Sequence, residues 1–141
     1  MRDFPYAHTG FGHIVYDPFR SNKMEPWWCI VEVDKEITRY YREWLRREQH
    51  LHLNVPSWDA HITVVKGERS VQRFPHLWKK YHGKRVDFRY EHGNIRVVKD
   101  TNQPGSFYFI NVDCPELLDI RQELQLTTKV NMHITIARSY Y

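Results

Sequence analysis

Two short segments of the chain carry the same set of chemically active side chains. Residues 59–66 read DAHITVVK and residues 131–138 read NMHITIAR, and the two align without a gap and agree in character at every position. Each contains a histidine followed two residues later by a threonine. Their separation of 72 residues is about half of the 141-residue chain, which is the pattern that a duplicated structural unit leaves behind.

Both segments are rich in β-branched residues and are therefore predicted to be strands. Because successive side chains of a strand point to opposite faces, His61 and Thr63 share one face while Ile62 points the other way, into a core. The same alternation puts His133 and Thr135 on one face. The repeat therefore predicts that two histidines and two threonines face one cleft, if the two halves of the chain pack with approximate two-fold symmetry.

Such a set of side chains suits the cleavage of a phosphodiester. Opening a cyclic phosphodiester needs a base for the attacking water and an acid for the departing ribose oxygen, and imidazole, with an ordinary pKa of about 6.5, can do either near neutral pH. Threonine hydroxyls could donate hydrogen bonds to the non-bridging oxygens, where charge gathers in the transition state. If the scissile bond is a 3'-5' linkage with a free 2'-hydroxyl, the same histidines could instead activate that hydroxyl, and both uses stay open.

The positions that flank these four residues have separate predictions. Asp59 and Asn131 share the parity of the histidines, so each could accept a hydrogen bond that fixes an imidazole. The candidate substrate-binding cations, Lys66 and Arg138, have the opposite parity and reach the cleft only if the strand bends or ends there. Trp58 also has the opposite parity and is expected to pack beneath the site.

The tetrapeptides at residues 61–64 (HITV) and 133–136 (HITI) resemble the paired His-hydrophobic-Ser/Thr-hydrophobic signatures of the two-histidine (2H) phosphoesterase superfamily, which includes LigT-like proteins. The resemblance rests on those eight residues, their spacing and their strand context. It implies a bilobal α+β fold and metal-free hydrolysis or transfer at 2',3'-cyclic phosphates, 2'-5' linkages and related cyclic nucleotide bonds. Some members are phage-encoded, and the chain as a whole resembles that branch. The catalytic residues implied by the resemblance are His61, Thr63, His133 and Thr135.

Helical periodicity is clearest between the two copies of the repeat and just before the second. Apolar residues recur on one face from Ile37 to Leu45, and Asp34 is placed to cap the N-terminus of that helix. A second, shorter helix is expected to begin at Pro115. A short stretch at 75–81 could also be helical. Strands are predicted at 12–16, 27–33, 60–66, 86–90, 95–99, 107–112 and 132–138.

These elements predict an α+β fold with two antiparallel sheets, flanking helices and pseudo-two-fold symmetry. We expect one domain over residues 1–141, with lobes at roughly 1–70 and 71–141. No run approaches the roughly 20 apolar residues of a membrane span, and the N-terminus lacks the apolar core of a signal peptide, so no membrane association and a cytoplasmic location are expected. The sequence leaves the oligomeric state open, and a monomer is plausible.

Composition and motifs bear on partners and cofactors. Lys plus Arg exceed Asp plus Glu by 21 to 17, giving a net charge of +4, which favours a polyanionic partner such as a nucleotide or an RNA end. Cys29 and Cys114 have no metal or redox spacing and are expected to be buried thiols. No H-E-x-x-H motif is present, and residues 50–52 (HLH) could bind metal only weakly, so we predict no cofactor and no metal site.

The sequence therefore predicts a metal-independent phosphodiesterase. Its expected substrate is a 2',3'-cyclic phosphate RNA end or a small cyclic or 2'-5'-linked oligonucleotide. The alternative is a non-catalytic module that binds RNA or a signalling nucleotide through the same basic cleft.

Overall fold

The computed structural model describes residues 8–20, 22–56, 58, 60–91 and 94–140. Within these ranges lie nine strands, two α-helices and a short 3-10 helix. In chain order they are β1 (His8–Tyr16), β2 (Phe19–Arg20), β3 (Lys23–Met24), β4 (Trp28–Val33), α1 (Lys35–Gln49), β5 (His61–Lys66), the 3-10 helix (Arg69–Arg73), β6 (Arg85–Tyr90), β7 (Arg96–Lys99), β8 (Ser106–Asp113), α2 (Pro115–Glu123) and β9 (His133–Ser139).

Seven of the strands form one sheet in the order β6-β1-β4-β5-β9-β8-β7. All of its pairings are antiparallel, and β8 also pairs with β6, which closes the sheet into a barrel-like shape. The two short strands β2 and β3 form a separate hairpin. The predicted α+β class is confirmed, although the strands of the two halves hydrogen-bond as one closed sheet rather than as two sheets.

Local sequence signals account for the helices. The Asp34 carboxylate accepts a hydrogen bond from the Glu36 amide at 2.9 Å, as predicted for the cap of α1. Tyr41 and Leu45 on the predicted apolar face are buried, whereas Tyr40 beside them is half exposed. Pro115 begins α2 as expected. No helix in the described ranges is long and apolar enough to cross a membrane.

One prediction made from local sequence was wrong. Residues 75–81 form turns rather than a helix, and the helical turns in this region lie earlier, in the 3-10 helix. The 3-10 helix stops at Arg73 because Pro75 disfavours helical geometry in Phe74, the residue before it. The short β2–β3 hairpin in the segment after β1 was not predicted.

The core lies on one side of β5 and β9. Ile62 and Ile134 are fully buried, and the helices add Leu117 and Ile120 from α2 and Tyr41 from α1. The opposite side of both strands is only partly buried. The alternation predicted from sequence therefore holds through the first four residues of each strand.

A β-bulge then interrupts β5. Ile30 of β4 lies opposite Thr63, but its neighbour Cys29 lies opposite Val65, so Val64 is the extra residue. Val64 and Val65 are consequently both buried.

The same irregularity occurs at the equivalent place in β9. Phe109 of β8 lies opposite Thr135 and Tyr108 lies opposite Ala137, so Ile136 is the extra residue. Because each bulge delays the alternation by one residue, Lys66 and Arg138 turn towards the side of the histidines. The sequence predicted that these two cations reach the cleft only if the strand bends or ends there, and the bulges supply that irregularity.

A buried arginine ties α2 to the end of β5. Arg121 donates to the Val64 carbonyl oxygen at 2.7 Å and to the two oxygens of the Glu68 carboxylate at 2.8 and 2.9 Å. Its side chain is almost fully buried, while that of Glu68 is about one third exposed. The hydrogen bonds from Arg121 hold the pKa of the Glu68 carboxyl below its ordinary value.

We expect Glu68→Gln to destabilise the protein by about 1–2 kcal/mol at pH 7, between the values typical of exposed and buried ion pairs. Because the folded-state pKa of Glu68 is lowered, its contribution is present above the unfolded pKa of about 4.3 and is lost as the pH falls through the folded value. Urea unfolding of the wild-type protein and of the variant at pH 7 and pH 3 measures the difference in their free energies of unfolding. An equal difference at the two pH values would contradict a stabilising ion pair between Glu68 and Arg121.

Candidate active site

The pairing of β5 with β9 gathers the four residues of the repeat. Ile62 lies opposite Ile134 in this antiparallel pair, so His61 comes opposite Thr135 and Thr63 comes opposite His133. Directly opposite Cβ atoms in such a pair are about 4.5–5.5 Å apart, and diagonal neighbours such as the two histidines are separated by about 7–8 Å. The structure therefore brings all four sequence-predicted catalytic residues into one patch.

Two cavities flank this patch. We call the first the aromatic pocket; its volume is about 300 Å³, and it is lined by Pro56, Trp58, His61, Asp100, Gln103, Phe107, Thr135, Arg138 and Tyr140. We call the second the lysine pocket; its volume is about 430 Å³, and it is lined by Thr63, Val64, Lys66, Glu68, Arg121, Thr127, Val130, Asn131, Met132 and His133. Each pocket thus contains one histidine of the repeat and the threonine that lies opposite it on the other strand.

A main-chain contact orients His133. Its Nδ1 atom lies 2.9 Å from the Asn131 carbonyl oxygen. Because a carbonyl can only accept a hydrogen bond, Nδ1 carries the proton and Nε2 is left for chemistry. The Phe109 ring packs against the imidazole at a centroid distance of 5.0 Å.

The hydrogen-bond role predicted for the Asn131 side chain was wrong. Its amide nitrogen donates to the Asn111 side-chain oxygen at 2.8 Å, and the main chain of Asn131 makes the contact with the histidine instead. Asp59, predicted to do the same for His61, lies outside the described residues.

An aromatic contact orients His61. Its ring stacks on Trp58 with a centroid separation of 4.7 Å and an interplanar angle of 29°. Trp58 is held in turn by Trp28 at 5.2 Å. The expectation that Trp58 packs beneath the site was wrong, because it lines the aromatic pocket beside the imidazole.

The two predicted substrate-binding cations occupy equivalent places but different surroundings. Lys66 is exposed and lines the lysine pocket. Arg138 is buried and lines the aromatic pocket, where it donates to the Asp100 carboxylate at 2.8 Å. The Asn102 amide and the Arg138 guanidinium together hold the pKa of the Asp100 carboxyl below its ordinary value. The charge of Arg138 is therefore already paired within the protein.

Arg138 also lies between two aromatic rings. Its guanidinium carbon is 4.4 Å from the centre of the Phe107 ring and 4.8 Å from that of Tyr140. The repeat gave no signal for these rings or for Asp100 and Gln103, since they come from β8, from the segment before it and from the end of the chain. The high aromatic content of the chain, 15% of residues, is the sequence signal that could have pointed to these rings.

A family model for the Swiss Army Knife 2H phosphoesterase domain matches residues 30–141, which is most of the chain and includes both copies of the repeat. Neither curated proteins nor solved structures gave a match. Because the match covers well over half of the chain, it shows that the protein is a two-histidine phosphoesterase, and the α+β fold and the paired histidines agree with that class. Within that class, the chain belongs to the Swiss Army Knife 2H phosphoesterase family, which supports a hydrolase activity on phosphoesters.

Among the residues that the structure describes, no three His, Cys, Asp or Glu side chains gather as metal ligands would.

We expect His61→Ala and His133→Ala each to lower kcat by at least about 100-fold, the usual loss when a general acid or base is removed. His76→Ala is the matched control, since His76 is exposed and lies in the turns at 75–81, outside both pockets. Initial rates with saturating substrate measure the effect. Near-wild-type turnover in either active-site variant would show that its histidine is not part of the chemistry.

Proposed function

We propose that the protein is a metal-independent phosphodiesterase that acts on a 2',3'-cyclic phosphate RNA end or on a small cyclic or 2'-5'-linked oligonucleotide. The observation that carries this proposal is the antiparallel pairing of β5 with β9, which sets two histidines and two threonines around one point. Such a point suits a single phosphate, with an imidazole on either side of it.

The reaction on a cyclic phosphate needs only these four side chains and water. One imidazole takes a proton as water attacks phosphorus, and the other gives a proton to the ribose oxygen as its bond to phosphorus breaks. The hydroxyls of Thr63 and Thr135 donate to the non-bridging oxygens, where negative charge grows. The product is a nucleoside monophosphate, and the two histidines end with their protonation states exchanged.

The aromatic pocket supports a nucleotide rather than a simple phosphoester as the substrate. Trp58 and Tyr140 present aromatic surface beside His61, and base stacking on such rings is a common source of affinity for nucleotides. Gln103 in the same pocket can donate and accept hydrogen bonds at a base edge. A nucleoside in this pocket would place its ribose phosphate at the histidines.

The lysine pocket supports a substrate that continues beyond the scissile phosphate. Lys66 is exposed there and can approach an anion. Asn131 and Thr127, also exposed, add polar groups to the same wall. The two unequal pockets would thus hold a base on one side of the phosphate and further negative charge on the other.

We expect the protein to hydrolyse at least one member of a panel of nucleoside 2',3'-cyclic phosphates, 2'-5'-linked oligonucleotides and cyclic dinucleotides, with products followed by chromatography. Turnover should persist in excess EDTA and should be slower on a base-free ribose 2',3'-cyclic phosphate than on nucleotides, because the aromatic pocket would be left empty. Loss of turnover in EDTA that a divalent metal restores would contradict the metal-free mechanism. Tight binding of these compounds without cleavage would favour the alternative, a non-catalytic nucleotide-binding module.

A further inference from the structure

Two arginines occupy matching places in the two halves of the fold. Arg42 of α1 donates through Nη1 to the Ile136 carbonyl oxygen at 2.8 Å, and Arg121 of α2 donates through Nη1 to the Val64 carbonyl oxygen at 2.7 Å. Ile136 and Val64 are the extra residues of the two β-bulges. Each bulge is therefore held by an arginine from the helix of the other half of the chain.

We propose that Arg42 and Arg121 are positioning residues, which hold the two bulges in place and thereby turn Arg138 and Lys66 towards the cleft. This inference rests on the proposed function, since it concerns residues that would contact the substrate. It adds two residues that lie outside both signature tetrapeptides.

The role of these arginines follows from the hydrogen bonding of a bulge residue. The extra residue is left out of regular pairing, so its carbonyl needs another donor when it is buried. A guanidinium can supply that donor and still bind other acceptors, because its N–H groups form a fixed fork. Arg121 does so, since it also donates to the Thr127 carbonyl at 2.7 Å and to the Glu68 carboxylate. Without the arginine, regular pairing of the strand would carry Lys66 to the opposite face.

The position of the bulge predicts which kinetic constant responds. His61 and Thr63 precede the bulge and are placed by the pairing of β5 with β9. Only the residues beyond the bulge would move. Loss of the arginine should therefore weaken substrate binding while the chemical step is largely preserved.

Loss of Arg42 and loss of Arg121 should not have equal effects on substrate binding. Arg138 has further anchors, because it pairs with Asp100 and its main chain exchanges two hydrogen bonds of 2.9 Å with that of Asn54. Lys66 is exposed, and its main-chain amide is bonded to Glu68, which Arg121 itself holds. Arg121 should therefore matter more than Arg42.

A double-mutant cycle between Arg121→Lys and Lys66→Ala tests the inference, with a 2'-5'-linked trinucleotide as substrate, because its further phosphate can reach Lys66 in the lysine pocket. Each single variant should raise KM roughly 10-fold, as expected when one charge-assisted hydrogen bond to the substrate is lost, and should change kcat by less than about three-fold. The double variant should be no worse than Lys66→Ala alone, because Arg121 acts through Lys66. Lys80→Gln is the matched control on the surface beside α2: it removes the ion pair with Glu123 and should change neither constant.

The inference would be overturned if the two single effects on KM multiply in the double variant, or if Arg121→Lys keeps the wild-type KM. Either result would leave the proposed function intact. Absence of wild-type turnover on every compound of the panel would instead count against the proposed function, and the same cycle would then be measured as Kd for the trinucleotide. Should Arg121→Lys lose its cooperative thermal transition, Arg42→Lys provides the second test. It should raise KM more than Arg39→Lys, a change on the exposed surface of the same helix, and equality of the two would overturn the inference.

Discussion

The site depends on the pairing of β5 with β9 at Ile62 and Ile134. Both residues are fully buried, so their apolar side chains fix the register in which the two strands meet. A slip of one residue would turn every side chain of a strand to its other face, which would bury a histidine and expose an isoleucine. One buried apolar pair thus decides where two imidazoles and two hydroxyls lie, although none of those groups contributes to the pair.

Beyond that pair, the two halves of the fold contain the same β-bulge but present different side chains after it. Both strands bulge one residue after the threonine, and both bulges are held by an arginine of the opposite half. Lys66 then emerges exposed, whereas Arg138 is buried against Asp100 and two aromatic rings. The two halves thus share a main-chain arrangement but form unequal pockets. Under the proposed function, the aromatic pocket would take a base and the lysine pocket further negative charge, so a nucleotide substrate would have one preferred direction.

The sequence predicted the two α-helices, the seven strands of the main sheet and the four central residues because those depend on local periodicity and on a repeat that keeps the same character at every position. It did not predict the bulges, although the signal was present: two adjacent apolar residues, Val64 and Val65, precede the charged end of the strand. Strict alternation would have placed the second of them in the cleft. The hydrogen bond from Arg42 to Ile136 joins residues 94 positions apart, and the role of the Asn131 main chain leaves no trace in residue type. Such contacts follow from the packing of the helices and from main-chain geometry.

Under the proposed function, His61 and His133 act together on one phosphate. Side-chain NMR of uniformly ¹⁵N-labelled protein, titrated with a nucleoside 2'-monophosphate, tests it directly, with the two resonance sets assigned from His61→Gln and His133→Gln. The resonances of both imidazoles should shift along a single saturation curve with one Kd, and those of the exposed His76 should not shift. A shift of one imidazole alone, or two curves with different Kd values, would contradict this joint action.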